Sequence, residues 1–181
     1  EPDSQLDSLH SPPPRLEELV LPYWKFRRVP KWIGELCCLW ILNLRVLRLS
    51  SDEVRVLGEL PTLVSVSLHV LDVSQDKVVV GMGLFPVLEH FSFGSNKDVN
   101  AYLSFEAGAM PKVQRLELAF SWTEWRGAAT VGMECLPCLQ HIDVWLGYNS
   151  KKNREDVRAQ VESAFKSVAS LHPRHPSVFV R

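Results

Sequence analysis

Pro111-Lys112-Val113-Gln114-Arg115-Leu116-Glu117-Leu118 has the form P-x-L-x-x-L-x-L, with valine at the first apolar place. Its tail alternates apolar and polar residues. In an extended strand that puts Leu116 and Leu118 on one face and Arg115 and Glu117 on the other. A single copy would decide little, but the phrase recurs on both sides. Upstream it is Pro14-Arg15-Leu16-Glu17-Glu18-Leu19-Val20-Leu21, then Pro61-Thr62-Leu63-Val64-Ser65-Val66-Ser67-Leu68, then Pro86-Val87-Leu88-Glu89-His90-Phe91-Ser92-Phe93. Downstream it is Pro137-Cys138-Leu139-Gln140-His141-Ile142-Asp143-Val144, and a copy without the proline runs Leu39-Trp40-Ile41-Leu42-Asn43-Leu44. The second apolar position of each copy falls at residues 19, 42, 66, 91, 116 and 142, so the intervals are 23, 24, 25, 25 and 26 residues.

Repeats of roughly 20 to 29 residues with an L-x-x-L-x-L core mark a leucine-rich-repeat solenoid. One such strand cannot bury its apolar face alone. Stacked beside its equivalents in a parallel sheet it can, with the chain returning across the back. The sequence therefore predicts an α/β solenoid, a horseshoe with a short-stranded parallel sheet on the concave face and an irregular or helical convex side. Residues 1–13 form a polar, proline-rich lead, 14–148 about six repeats, and 149–181 a capping helix and final short strand. Ser50-Ser51-Asp52-Glu53 fits a capping box ahead of Val54, Val56, Leu57 and Leu60, predicting a convex helix that ends near Pro61. Trp32–Leu36 after Pro30 reads as a single turn or short helix, and residues 75–83 and 95–110 read as irregular. Between Asn153 and Leu171, Val157, Val161, Ala164, Phe165, Val168 and Leu171 recur at helical spacing, and Pro173 stops the helix. A strand at Ser177–Val180 completes the cap.

Composition narrows the function. Twenty basic residues nearly balance twenty-one acidic ones, so long-range attraction to nucleic acid or anionic lipid is not implied. No apolar run is long enough to span a bilayer. The chain opens at Glu1 without a methionine or signal-like region and reads as a piece of a longer protein; Asn-x-Ser/Thr is absent, which leans toward a cytoplasmic location. Four cysteines, Cys37, Cys38, Cys135 and Cys138, are expected to be reduced. Cys135-x-x-Cys138 has the spacing of redox and zinc sites, but Cys37-Cys38 is no second pair, and Cys135 reads better as a small buried apolar residue. No G-x-S-x-G elbow occurs, no enzyme activity is expected, and no cofactor or metal is implied.

Arg28–Leu36, Glu59–Leu63, Ala109–Leu116, and the ending from Gly132-Met133-Glu134-Cys135-Leu136-Pro137 to His172-Pro173-Arg174-His175-Pro176 resemble the C-terminal repeats of grass nucleotide-binding leucine-rich-repeat immune receptors. The resemblance covers nearly the whole chain from about Pro14. It implies the recognition part of an intracellular plant disease-resistance receptor, sensing pathogen effectors or guarded host proteins and contributing to autoinhibition. The G-x-x-x-x-G-K-[ST] loop that such receptors use for ATP is absent here, so nucleotide binding is not expected of these residues. Of the positions where regular repeats often place asparagine, only Asn96 fits. An alternative is the substrate-receptor repeats of a plant F-box ubiquitin-ligase subunit.

Strand residues between the core positions face the concave side. Three rows follow: Glu18, Ile41, Ser65, His90, Arg115, His141; Val20, Asn43, Ser67, Ser92, Glu117, Asp143; and Pro22, Arg45, His69, Gly94, Ala119, Trp145. The last three repeats hold the most reactive and interface-prone set, His90, Arg115, Glu117, His141, Asp143 and Trp145, and these are the expected protein-binding residues, arginine and tryptophan being frequent anchors of interfaces. The competing reading is a solvated face on which Arg115 pairs with Glu117 or Asp143. His90 and His141 lie two strands apart with Arg115 between them, which argues against a shared metal ion. Trp122 and Trp125, with Phe120, either form an exposed aromatic contact or pack over the convex side, and core packing is the expectation because large aromatics usually bury.

Overall fold

The computed structural model describes residues 12–72, 77–96, 102–121, 125–147 and 154–181. Seven of its strands form one parallel sheet: β1 (Glu18–Phe26), β2 (Ile41–Val46), β3 (Ser65–Val70), β5 (His90–Ser95), β7 (Arg115–Ser121), β8 (His141–Gly147) and β9 (Ser177–Val180), neighbours in that order. The pairing puts Leu19, Leu42, Val66, Phe91, Leu116, Ile142 and Val178 in one line across it, so the register follows the sequence repeat and continues into β9. A single line of hydrogen bonds leads into the strands: the amides of Trp40, Val64, Glu89, Gln114, Gln140 and Ser177 each donate to the carbonyl one repeat back, at 2.8–2.9 Å.

Alternation sends Leu42, Leu44, Val66, Leu68, Phe91, Phe93, Leu116, Leu118, Ile142 and Val144 into a continuous core. The leucine-type residue two places after the proline in four copies (Leu63, Leu88, Val113 and Leu139) lies in the same core, and Leu16 of the first copy is partly buried against it. Leu19 and Leu21 of the end strand β1 are only partly covered. One expectation fails at this end. β1 shifts register between Leu21 and Lys25, so Lys25, not Pro22, stands opposite Arg45. Proline has no amide to give the ladder, and the extra residues are accommodated where it stands.

The convex returns change character along the chain. Lys31–Glu35 is a 3₁₀ turn after Pro30, as its sequence implies. The helix α1 (Ser51–Gly58) has the expected capping box: the Glu53 amide donates to Ser50 Oγ at 3.3 Å and the Ser50 amide donates to the Glu53 carboxylate at 2.7 Å. That carboxylate also accepts from the Val29 amide at 3.1 Å, tying α1 to the return before it. Residues 75–83 and 95–110 are not simply irregular. They contribute β4 (Val78–Val80) and β6 (Leu103–Phe105), which pair in parallel as a second, two-stranded sheet, and a bridge from Ser104 to Val131 carries the pattern into the next return. Three residues are too few for an alternation to show in the sequence. Burial of Val78, Val80, Leu103 and Phe105 against the core makes them strands.

The helix α2 (Arg154–Leu171) and β9 close the C-terminal end. Val161, Phe165 and Ala169 point inward. The Trp125 ring stacks on Phe120 at 5.8 Å and meets Phe165 at 6.2 Å, which places this tryptophan against the core as expected; Trp122 lies outside the described residues. Buried His172 fastens the end of the helix: its Nδ1 accepts from the Arg174 amide at 3.1 Å, leaving Nε2 to donate to the Leu136 carbonyl at 3.0 Å. All four cysteines are free, and Cys135 is half-buried rather than buried.

Candidate functional site

The strands carry side chains onto the concave face in rows whose order is set by the register. In the first row His90, Arg115, His141 and Ser177 are successive neighbours; in the second Ser92, Glu117, Asp143 and Phe179; in the third His69, Gly94, Ala119 and Trp145. The six residues singled out from the sequence thus share one face of three adjacent strands. They do not share one environment. His90 and Arg115 are exposed, Glu117 and His141 half-buried, and Trp145 stands 42% exposed. Asp143 is only 6% exposed.

Asp143 is covered because cations lean over it from both sides. Arg115 Nε lies 3.8 Å from one carboxylate oxygen and an Arg181 guanidinium nitrogen 3.8 Å from the other. These are electrostatic contacts rather than close hydrogen bonds, and both arginines keep about half their surface in solvent. Arg181 also sits over the Trp145 ring, 4.8 Å from its centroid, a cation–π arrangement. His141 Nδ1 is 2.7 Å from Ser177 Oγ. Arg115, Arg181 and Trp145 are therefore held in place around a buried carboxylate while still facing outward. Of the pairings anticipated for Arg115, the one present is with Asp143.

Sequence reading missed three participants. Ser177 and Arg181 come from β9 and the chain beyond it. The strand was legible, but its place beside β8 depends on α2 delivering it there. His69 is legible as a row member, but nothing in the sequence marks its surroundings. In the structure it lines a hollow of about 500 Å³ with Ser95, Asn96, Ala119 and Trp145. Gly94 makes this possible, since a Cβ there would stand 2.8 Å from His69 Nδ1. Burial first, and then the charge of neighbouring Arg45, hold the His69 imidazole below its ordinary value of 6.5. Its Nε2 is buried with no hydrogen-bond partner among the described residues.

Among the described residues no group of three or more His, Cys, Asp or Glu side chains is placed to hold a metal ion. No described helix is long and apolar enough to cross a membrane. The surface is an extended face of fixed polar and aromatic groups, suited to contacting another macromolecule.

Comparison with known proteins gives two findings. A family model described as a leucine-rich repeat region matches residues 1–178. Over 159 residues, 87% of this chain, the sequence is 37% identical to Disease resistance protein RGA5 of Oryza sativa subsp. japonica, and the match spans 14% of that protein's length.

Proposed function

The chain belongs to the leucine-rich-repeat regions, of the kind found in plant disease resistance proteins, and on that premise we propose that its concave face is the protein-recognition surface of an intracellular plant immune receptor. The partner is a pathogen effector, a guarded host protein or the receptor's own other domains, and contact with the last contributes to autoinhibition. The observation that carries this reading is the anchored set around Asp143. Three potential hot-spot side chains, Arg115, Arg181 and Trp145, are pre-positioned by one buried carboxylate and one ring contact. Side chains already held in their binding geometry lose less rotamer freedom on association. His90, Glu117 and His141 flank them and supply polar contacts at the rim. The rice relative's name speaks of disease resistance, which favours this reading over substrate selection for a ubiquitin ligase.

The test is a double substitution, Arg115→Ala with Trp145→Ala, made in the full-length protein and expressed in plant cells. Proteins captured by the wild type and by the variant are compared, with the melting temperature of the isolated region as a folding control. The expected result is loss of at least one captured protein, or of an intramolecular domain contact, at unchanged melting temperature. An identical capture profile and unchanged basal signalling would refute the proposal.

A further inference from the structure

The third concave row has a shape and a charge pattern that the other two lack. From β1 to β8 it runs Lys25, Arg45, His69, Gly94, Ala119, Trp145, with Arg181 lying over the last. The His69 imidazole fills the space above Gly94, and small Ala119 beyond it leaves the hollow of about 500 Å³, bracketed by the imidazole and the Trp145 indole. Its size falls within the range of roughly 300–1,000 Å³ usual for pockets that enclose a ligand group. The row contains no carboxylate, and Lys25 and Arg45 have no ion-pair partner among the described residues. The neighbouring second row holds two acids, Glu117 and Asp143. Asp143 is buried under Arg115 and Arg181, which leaves Glu117 as the one partly open acid of that row among the described residues.

We propose that this row docks an extended peptide segment of a protein partner, with an aromatic side chain seated in the hollow between His69 and Trp145 and carboxylates reaching Arg45 on one side and Arg181 on the other. The inference deepens the recognition reading above and rests on it. Aromatic occupancy follows from the walls, because a ring can offset-stack or meet edge-on with the Trp145 indole and contribute beyond its buried area. Acidic flanks follow from the cations at both ends. Strands spaced about 4.8 Å apart put Arg45 some two to three strands from the hollow, or roughly 10–14 Å, and Arg181 beside Trp145. At about 3.3 Å per extended residue, one carboxylate falls three or four residues from the aromatic and the other one or two residues away on the opposite side. A single-stranded nucleic acid also pairs stacking with negative charge, but its uninterrupted phosphates would meet Glu117, and the chain's net charge of -1 gives no attracting field.

The probe is a random twelve-residue peptide library displayed on phage and panned against the immobilised 181-residue chain. Recovered peptides are expected to share a Trp, Tyr or Phe with Asp or Glu at those offsets. Their affinity is expected to fall at least tenfold for Ala119→Leu, which fills the hollow, and for Arg45→Glu, with less effect from Arg115→Ala. Arg45 lies on the open face, so Arg45→Glu keeps the test valid should Ala119→Leu fold poorly. Recovery of no peptide overturns the inference, as does recovery of peptides without acidic enrichment, or preferential binding of oligonucleotides used as competitors. Peptides lost with Arg115→Ala but indifferent to Ala119→Leu and Arg45→Glu overturn it too, while leaving the recognition face in place.

Discussion

Replacing Phe165 with alanine tests whether the C-terminal helix is a true cap of the repeat stack. The side chain is fully buried on the inner face of α2, and its ring meets Trp125 at 6.2 Å, which in turn stacks on Phe120 of β7 at 5.8 Å. Removing a buried phenylalanine ring costs roughly 3–5 kcal/mol through lost transfer energy and an incompletely collapsed cavity. For a chain of this length each kcal/mol lowers the melting temperature by roughly 2–4 °C, so a fall of roughly 6–20 °C is expected. The loss should also be local, because each repeat contacts only its neighbours. Hydrogen exchange should quicken most at the Ser177 and Arg181 amides, which donate to Gln140 and Val144, and least at Leu42–Leu44 in β2. Denaturant unfolding with exchange mass spectrometry reads both. A cost below about 1 kcal/mol would refute the packing argument, and equal deprotection of β2 and β9 would refute the nearest-neighbour argument.

Gly132→Ala should be far more damaging than Gly127→Ala, measured by thermal melts. Both glycines have left-handed φ (+87° and +86°), which alone costs alanine about 1–2 kcal/mol, but only at Gly132 would a Cβ stand 2.0 Å from the Phe105 carbonyl oxygen; equal effects would contradict the described backbone. Stability should fall on acidification through His69. Its folded pKa lies below the ordinary 6.5, so between the two values the unfolded chain binds more protons than the native one, and stability is present above 6.5 and lost as pH falls toward the folded value. His69→Gln should flatten that part of the pH profile, and a profile unchanged by the substitution would show that another group carries it.

The repeat register was legible to the residue from Leu19 to Ile142, because the buried line needs the same apolar side chain at the same place in every turn. The capping box at Ser50 and Glu53 was legible for a similar reason, two local hydrogen bonds with a fixed three-residue spacing. What escaped was set by distance. Val78–Val80 and Leu103–Phe105 are strands because they bury against the core and pair with each other, about 25 residues apart. The shift after Leu21 displaces Pro22 from its row for want of a hydrogen bond no pattern of hydropathy records. In the candidate site, the side chains facing the solvent were legible from alternation. The burial of Asp143 was not, because the second arginine that covers it is the last residue of the chain, brought there by β9. His69 became notable only once the absent side chain of Gly94 was seen to make room for it.

The second sheet on the convex side has a mechanical consequence. A solenoid bends when its back is wider than its front, as where the α1 helix, some 10 Å across, stands behind strands about 4.8 Å apart. Behind β3, β5 and β7 the returns are themselves hydrogen-bonded strands, β4 and β6 with the Val131 bridge, so both sides advance by the same step. Hydrogen bonds lace that stretch front and back, so bending it must strain two ladders at once. A partner laid across β3, β5 and β7 meets strands backed by a second ladder rather than by a single helix.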